Sequence, residues 1–457
     1  MDAKLPVISV AQDLATRIAA LSPATLPPGV RAKCEDLAVD VVGLCVTARN
    51  EDYIKSALAG CDDDGPCTAI GHARRLTSAS AAFINGTAAH GEDFDDTFEG
   101  GPVHAGAVIV PAVLAACERH ELDGPSALLG IAVGTEVMCR LSTVVPKAAH
   151  KAGFHPTAIY GVMGAAAGVG AALGLAPRQM VDALGIAGSF ASGIIEYLAE
   201  GAWTKRLHPG WAAQSGIRAA LLARGGFYGP RTVFEGVHGL FHGFAHTTQG
   251  NYAALTETFG TEWVTETLAF KPYPCGTMAH PYIDCAKRLA ARGIKATDIK
   301  ELVCEVAEGT VHRLWEPLAA KQRPPNGYAA KFATPYILAT GFVKGGVGLG
   351  DFTADAVRNE DVLALAAKVR YVIDPDNPYP NNFTGHIRAV LNDGSVVEER
   401  QPHFRGGAHE PLTRADLVEK FMLNARHGGW DDARADAALK TLATLFSGKI
   451  DLAPLRG

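Results

Sequence analysis

The chain has 457 residues, 48% of them hydrophobic and 20% charged, and its 42 Lys and Arg against 48 Asp and Glu leave a formal net charge of −6. At about 100–200 residues per domain this allows two to four domains around a substantial core, and it excludes disorder and collagen. The sequence has no run of Lys or Arg of the kind that binds phosphate backbones, so no nucleic-acid partner is expected.

The opening stretch, MDAKLPVISVAQDLATRIAAL, places acidic residues among its apolar ones and lacks a continuous hydrophobic segment before a small-residue cleavage site. It does not read as a signal peptide. Nine cysteines (Cys34, Cys45, Cys61, Cys67, Cys117, Cys139, Cys275, Cys285, Cys304) are scattered without CxxC pairs or zinc-ligand spacing. They read as reduced thiols, and a cytoplasmic address follows.

From Val10 to about Leu268, Ala- and Leu-rich stretches recur at helical spacing between short breaks such as LPPGV (26–30) and GGPVH (100–104). The stretch from Pro156 to Leu175 carries no charge, but it is filled with Gly161, Gly164, Gly168, Gly170 and Gly174 where a membrane span favours Leu, Ile and Phe. It reads as a buried helix whose glycines admit a close neighbour, and no membrane partner is expected. The GVG at 168–170 lacks a third glycine and follows no strand, so it is not a dinucleotide loop.

Composition changes near Phe270. From about Asp298 the segments ELVCEVAEG, AAKVRYVID and TGHIRAVLNDGSVVEER read as strands, the last a hairpin turning at Asn392-Asp393-Gly394, with a helix near 329–345. After Gly407 the segments PLTRADLVEKFMLNARH and DDARADAALKTLATLF return to amphipathic helix. The expected fold is mainly α: a large all-helical domain over 1–268, completed by helices in 408–457, and a smaller α+β domain over 269–407.

Four polar clusters interrupt this pattern. In HGEDFDDTFEGGPVH (90–104) a continuous helix would put His90, Asp93 and Thr97 on one face with Asp96 beside them, and the Gly100-Gly101-Pro102 turn would swing His104 back. A solvated helix end and a divalent-metal site are the competing readings, the second without HExxH or His-x-His spacing. In GFHPT (153–157) His155 sits at the expected N-cap and Pro156 at the first helical position, where backbone N–H groups hold anions. In TKRLHPGWAA (204–213) Lys205, Arg206 and His208 stand just before Pro209, read as the start of a helix, and suggest a second anion pocket. In FKPYPCGTMAHPYID (270–284) Lys271, Tyr273, Cys275 and His280 lie at the junction where composition changes.

Together these segments resemble the MmgE/PrpD family from end to end. The opening LPPGVRAKCEDLAVDVVGL with Asp40 and Gly43 is similar to the family's first long helix. HGEDFDDT, PAVLAACE, GFHPT, KRLHPGWAAQSGIRAALLARGGFYGP, FEGVHGLF, KPYPCGTMAHPYID and AKFATPY then follow in the family's order. The resemblance implies an all-helical domain with an α+β lid, homodimer assembly, and cofactor-independent, metal-free chemistry on small di- or tricarboxylic acids.

It also implies the catalytic residues Asp93, Thr97, His104, His155, Lys205 and Lys271, and beside them Arg206, His208, Tyr273 and His280 are read as substrate-binding groups. Two departures from the family pattern are visible. The decarboxylase-type motif has a histidine shortly after the junction lysine, whereas Gly276 stands in that stretch here and His280 comes later. The common His-Pro-Ser is His104-Ala105-Gly106, with the segment lengthened by one residue. The sequence therefore favours a lyase that dehydrates a 2-methylcitrate-like acid by proton abstraction next to a carboxylate. The alternatives are an epimerase or isomerase of an amino- or imino-dicarboxylate, a cis-aconitate-type decarboxylase, and a catalytically silent organic-acid binder.

Overall fold

The computed structural model describes residues 8–101 and 103–457. The chain is mainly α with some strands, and it divides into two compact units, Met1–Ala269 with Thr413–Gly457, and Phe270–Leu412.

Seven helices frame the first unit: α1 (Pro28–Ala48), α2 (Ser78–Gly91), α3 (Gly106–His120), α4 (Gly124–Val144), α5 (Pro156–Ala172), α6 (Thr204–Arg224) and α7 (Arg414–His427). Proline occupies the first position of α1 and α5, where its missing N–H costs no helical bond, and Asp123 caps α4 by accepting from the Ser126 N–H at 2.9 Å. The uncharged α5 is buried along almost its whole length and packs against α4 and α6. Its glycines permit this. A Cβ on Gly168 would stand 2.6 Å from the Gly130 carbonyl oxygen, and one on Gly164 2.7 Å from that of Gly134.

The helix α4 is itself long and apolar enough to cross a membrane, yet 94% of its apolar window is buried inside the unit. It also carries the buried pair Arg140–Glu136, whose remaining hydrogen-bonding groups engage Ala254, Glu262 and Thr265. Such a fully partnered ion pair belongs to a protein core. Helix α7 lies on α1, where the Thr47 hydroxyl donates to the Asn424 carbonyl at 3.2 Å and Phe421 packs over Gly43.

In the second unit a four-stranded sheet is built from β1 (Ile299–Val306), β2 (Val369–Ile373), β3 (Gly385–Leu391) and β4 (Val396–Gln401) in the order β2-β1-β3-β4. The β1–β2 pair is parallel and the other two are antiparallel. Gly394, at φ +87°, makes the β3–β4 turn, a backbone conformation that glycine adopts without a Cβ penalty. Alternate residues Leu302, Cys304 and Val306, with Ile387 and Ala389, face a core completed by the helices His280–Ala291 and Thr334–Lys344.

Candidate active site

The segment 90–104 is not the continuous helix that its spacing suggests. Helix α2 ends at Gly91, and Asp93 takes a left-handed conformation, φ +56°, which an α-helix cannot propagate. Thr97 and Phe98 instead form a short strand, antiparallel to Leu268–Ala269, with Thr97 opposite Ala269. The three carboxylates therefore diverge rather than line one face. All are buried, and each meets a different partner.

Asp96 caps α3, accepting from the Ala105 N–H at 3.0 Å and the Gly106 N–H at 2.9 Å. Gly106 is required there, because a Cβ would run into the Asp96 carboxylate. Burial, and then the neighbouring Asp95 charge, push the Asp96 carboxyl up to about 7, against the pull of those two N–H donors. The chain after Phe98 folds back through a hydrogen bond from the Phe98 N–H to the Val103 carbonyl, which returns His104 to the site. Pro102 of the expected turn lies outside the described residues.

Asp95 meets two imidazoles. Its Oδ2 is 2.6 Å from His90 Nδ1 and 3.6 Å from His104 Nδ1, and all three side chains are buried or nearly so. His104 Nδ1 also lies 2.7 Å from the Asp96 carbonyl oxygen, and the His104 backbone N–H donates to the Thr157 hydroxyl of α5 at 3.3 Å. The rings of His90 and His104 are 4.9 Å apart and those of His90 and His155 5.8 Å.

His155 is the N-cap of α5, as its position before Pro156 suggests, but its side chain makes no capping bond. Its Nδ1 is instead 3.1 Å from Nδ1 of His208, so one ring donates and the other accepts. Burial, reinforced by His90, Lys205, His208 and His104, holds His155 well below the ordinary histidine range. His208 is held down to about 4, again first by burial and then by His90 and Lys205. Both rings are therefore neutral at pH 7, and Tyr197 closes the far side with its ring 6.2 Å from His155 and 5.8 Å from His208.

Lys205, Arg206 and His208 do not precede their helix. They form its opening turns, since α6 begins at Thr204 and Pro209 sits inside it. Pro209, the sixth residue of this helix, brings no N–H to the helical ladder, and its ring crowds the carbonyl four residues back, at Lys205. The Lys205 ammonium donates to Asp93 Oδ1 at 2.8 Å. Arg206 stacks over the Tyr53 ring at 4.3 Å and lies 3.6 Å from Glu92, to which the Tyr53 hydroxyl donates at 3.1 Å. Tyr53 lies in no motif, and Glu92, although inside the 90–104 segment, was not singled out; only their packing reveals them.

The remaining sequence candidates belong to the second unit. Lys271 is buried there, the Tyr273 hydroxyl donates to Asp284 at 2.6 Å, and Arg405 and Lys287 lie against its ring. His280 is fully buried between Tyr273 and Phe404, with Nε2 3.1 Å from the Cys275 carbonyl oxygen. Burial raises the Tyr273 phenol well above its usual range, so it stays protonated, and its hydroxyl also accepts from Lys287 at 3.3 Å.

His90, Asp95 and His104 offer ligand atoms within 4.8 Å of one another, the spacing of a possible cation site. Two ligands on one zinc ion, each at about 2.1 Å, stand about 3.4 Å apart in a tetrahedron. The 2.6 Å separation of His90 and Asp95 is shorter than that and is a hydrogen bond.

Residues 12–253 match the MmgE/PrpD N-terminal domain and residues 273–444 the MmgE/PrpD C-terminal domain. The chain is 32% identical over 378 residues to human cis-aconitate decarboxylase, covering 78% of this chain and 75% of that protein. It is 27% identical over 440 residues to a cis-aconitate decarboxylase-like protein of Aspergillus oryzae, covering 91% and 90% respectively. The cis-aconitate decarboxylase of Aspergillus terreus is 27% identical over 460 residues, covering 94% and 91%. With both domains matched in order across nearly its whole length, this chain belongs to the MmgE/PrpD family.

Proposed function

We propose that the chain is a cofactor-independent lyase acting on a small di- or tricarboxylic acid, with cis-aconitate-type decarboxylation as the leading reaction. The observation that carries this reading is the enclosed set of imidazoles beside the Lys205–Asp93 pair, in a chain whose relatives are named cis-aconitate decarboxylases. The sequence alone ranked dehydration first, because Gly276 stands where the decarboxylase-type motif has a histidine. The relatives support the reverse order, since the human and Aspergillus terreus proteins with this name align over most of the chain.

In decarboxylation the bond from carbon to a carboxylate breaks, carbon dioxide leaves, its electron pair spreads into the adjoining unsaturated acid, and a proton is delivered to carbon. Dehydration removes a proton beside a carboxylate and expels the hydroxyl as water. Both need fixed positive charge and one group that moves a proton. Lys205 and Arg206 supply the charge, and His155, held neutral by burial, is able to accept a proton at pH 7. His104 is the second proton-transfer group.

Dehydration is the second reading, favoured by Gly276. We also propose homodimer assembly, supported by the apolar and basic outer face of α6, where Trp211, Arg218 and Leu222 share helical spacing and are exposed. Light scattering of the purified chain at several concentrations tests that state.

Proton NMR in deuterated water, with cis-aconitate, 2-methylcitrate, citrate and iminodisuccinate offered to the chelator-treated protein, distinguishes the reactions. Loss of carbon dioxide with one deuterium gained at carbon supports decarboxylation, and loss of water supports dehydration. Exchange without either points to an epimerase. No change on any acid overturns the lyase reading.

A further inference from the structure

We propose that Asp95 and His90 are positioning residues for His104, forming a buried relay in which one carboxylate is shared by two imidazoles. The proposal deepens the reading of His104 as a proton-transfer group and rests on it.

His104 Nδ1 is 2.7 Å from the Asp96 carbonyl oxygen. A carbonyl only accepts, so Nδ1 carries the proton and Nε2 keeps its lone pair as the basic atom. When Nε2 takes up the proton that decarboxylation delivers to carbon, the imidazolium stands 3.6 Å from Asp95 Oδ2. Asp95 and His90 have no exposed side-chain surface, so water does not screen that interaction. The carboxylate is in place before the charge forms, the arrangement that stabilises a transient cation without reorganisation.

His90 completes the device from the end of α2. Its Nδ1 donates to the same Oδ2 at 2.6 Å, which fixes the carboxylate, and its ring packs 4.9 Å from that of His104. The further charged and titratable groups around the relay are Asp96 on the same loop, Asp40 on α1, His155 on α5, and His208 and Lys205 on α6.

The test uses the full-length chain with 15N-labelled histidine and the variants Asp95→Asn, His90→Asn and His90→Leu. In the unmodified protein the His104 ring should give the Nδ1–H tautomer signature. Asp95→Asn, which keeps the shape and loses the charge, should lower the pH at which His104 titrates and reduce kcat about 10–100-fold with KM little changed, the scale typical of lost outer-shell partners. His90→Asn keeps a donor towards Asp95 and should recover part of the rate that His90→Leu loses.

A His104 spectrum and titration unchanged in Asp95→Asn, in protein that melts as the unmodified chain does, overturns the proposal. So does the Nε2–H tautomer in the unmodified chain. Because the spectra need no substrate, they decide the relay even if every acid in the panel is left untouched, which would count against the lyase reading alone.

Discussion

Lys420 Nζ lies 2.7 Å from Asp40 Oδ1 and donates to the Phe94 carbonyl oxygen at 2.8 Å, so a side chain of helix α7 holds the loop that carries Asp93, Asp95 and Asp96. The ammonium also sits 4.0 Å from the Phe94 ring centroid. Removing it takes this cation from Asp40, which is almost completely buried. Lys420→Met should therefore lower stability by about 3–5 kcal/mol, and the double variant with Asp40→Asn should recover part of that loss. Thermal unfolding of the single and double variants measures the difference, and a Lys420→Met protein that melts with the unmodified chain would show that the pair holds nothing.

The Lys205–Asp93 contact predicts a second outcome, this time in turnover. Lys205→Met and Asp93→Asn should each reduce kcat by at least about 100-fold, the scale of a lost proton-transfer or charge-positioning group. Because each residue is the other's partner at 2.8 Å, the double variant should be little worse than the poorer single. Additive losses in a double-mutant cycle would mean that the two act separately.

A third prediction concerns acid. Burial first, and then His90 and Lys205, hold His208 at about 4 against an ordinary value of 6.5. The unfolded chain takes up this proton before the folded chain does, so the contribution of His208 is complete above pH 6.5 and is lost as the pH falls towards 4. The loss amounts to at most about 3 kcal/mol. Asp96 works in the opposite sense, since its raised carboxyl stabilises the fold at low pH and ceases to do so as the pH rises through about 7. That slope is common to the unmodified chain and His208→Asn, so the difference between their stability curves isolates the histidine. It should stay constant above pH 6.5 and shift in favour of the variant below it.

Packing supplies a fourth. A methyl group on Gly168 meets the Gly130 carbonyl oxygen at 2.6 Å, and backbone has to move to accept it. Gly168→Ala should cost about 1–3 kcal/mol as an overpacked contact. Gly243, also helical but with nothing within 4 Å of its would-be Cβ, is the control, and Gly243→Ala should be neutral or mildly stabilising. Equal melting temperatures for the two variants would refute the role given to the α4–α5 glycines.

Much of the fold was legible in local pattern. The uncharged, glycine-filled run from Pro156 becomes the buried helix α5, and Asn392-Asp393-Gly394 turns a hairpin. Pro156 marks a helix start, and the breaks in periodicity mark helices and strands where they occur. These features depend on neighbours a few residues away, through backbone sterics and the period of the apolar residues. The chain of motifs also points to the MmgE/PrpD family, whose two domain matches cover residues 12–253 and 273–444.

The site was legible in residue type but not in geometry. Helical spacing placed His90, Asp93 and Thr97 together, whereas the left-handed Asp93 ends that helix and sends each carboxylate to a different partner. Pro209 suggested a helix start that tertiary packing moves back to Thr204. Nothing local marks Lys420 as the partner of Asp40, 380 positions away, nor Tyr53 as the platform for Arg206. Sequence by itself determined the helices, the strands, the family and the inventory of reactive side chains. Only the tertiary structure decided which carboxylate meets which cation, which histidines are buried neutral, and that Asp95 lies between two imidazoles, because desolvation and charge pairing depend on distances that chain order does not encode.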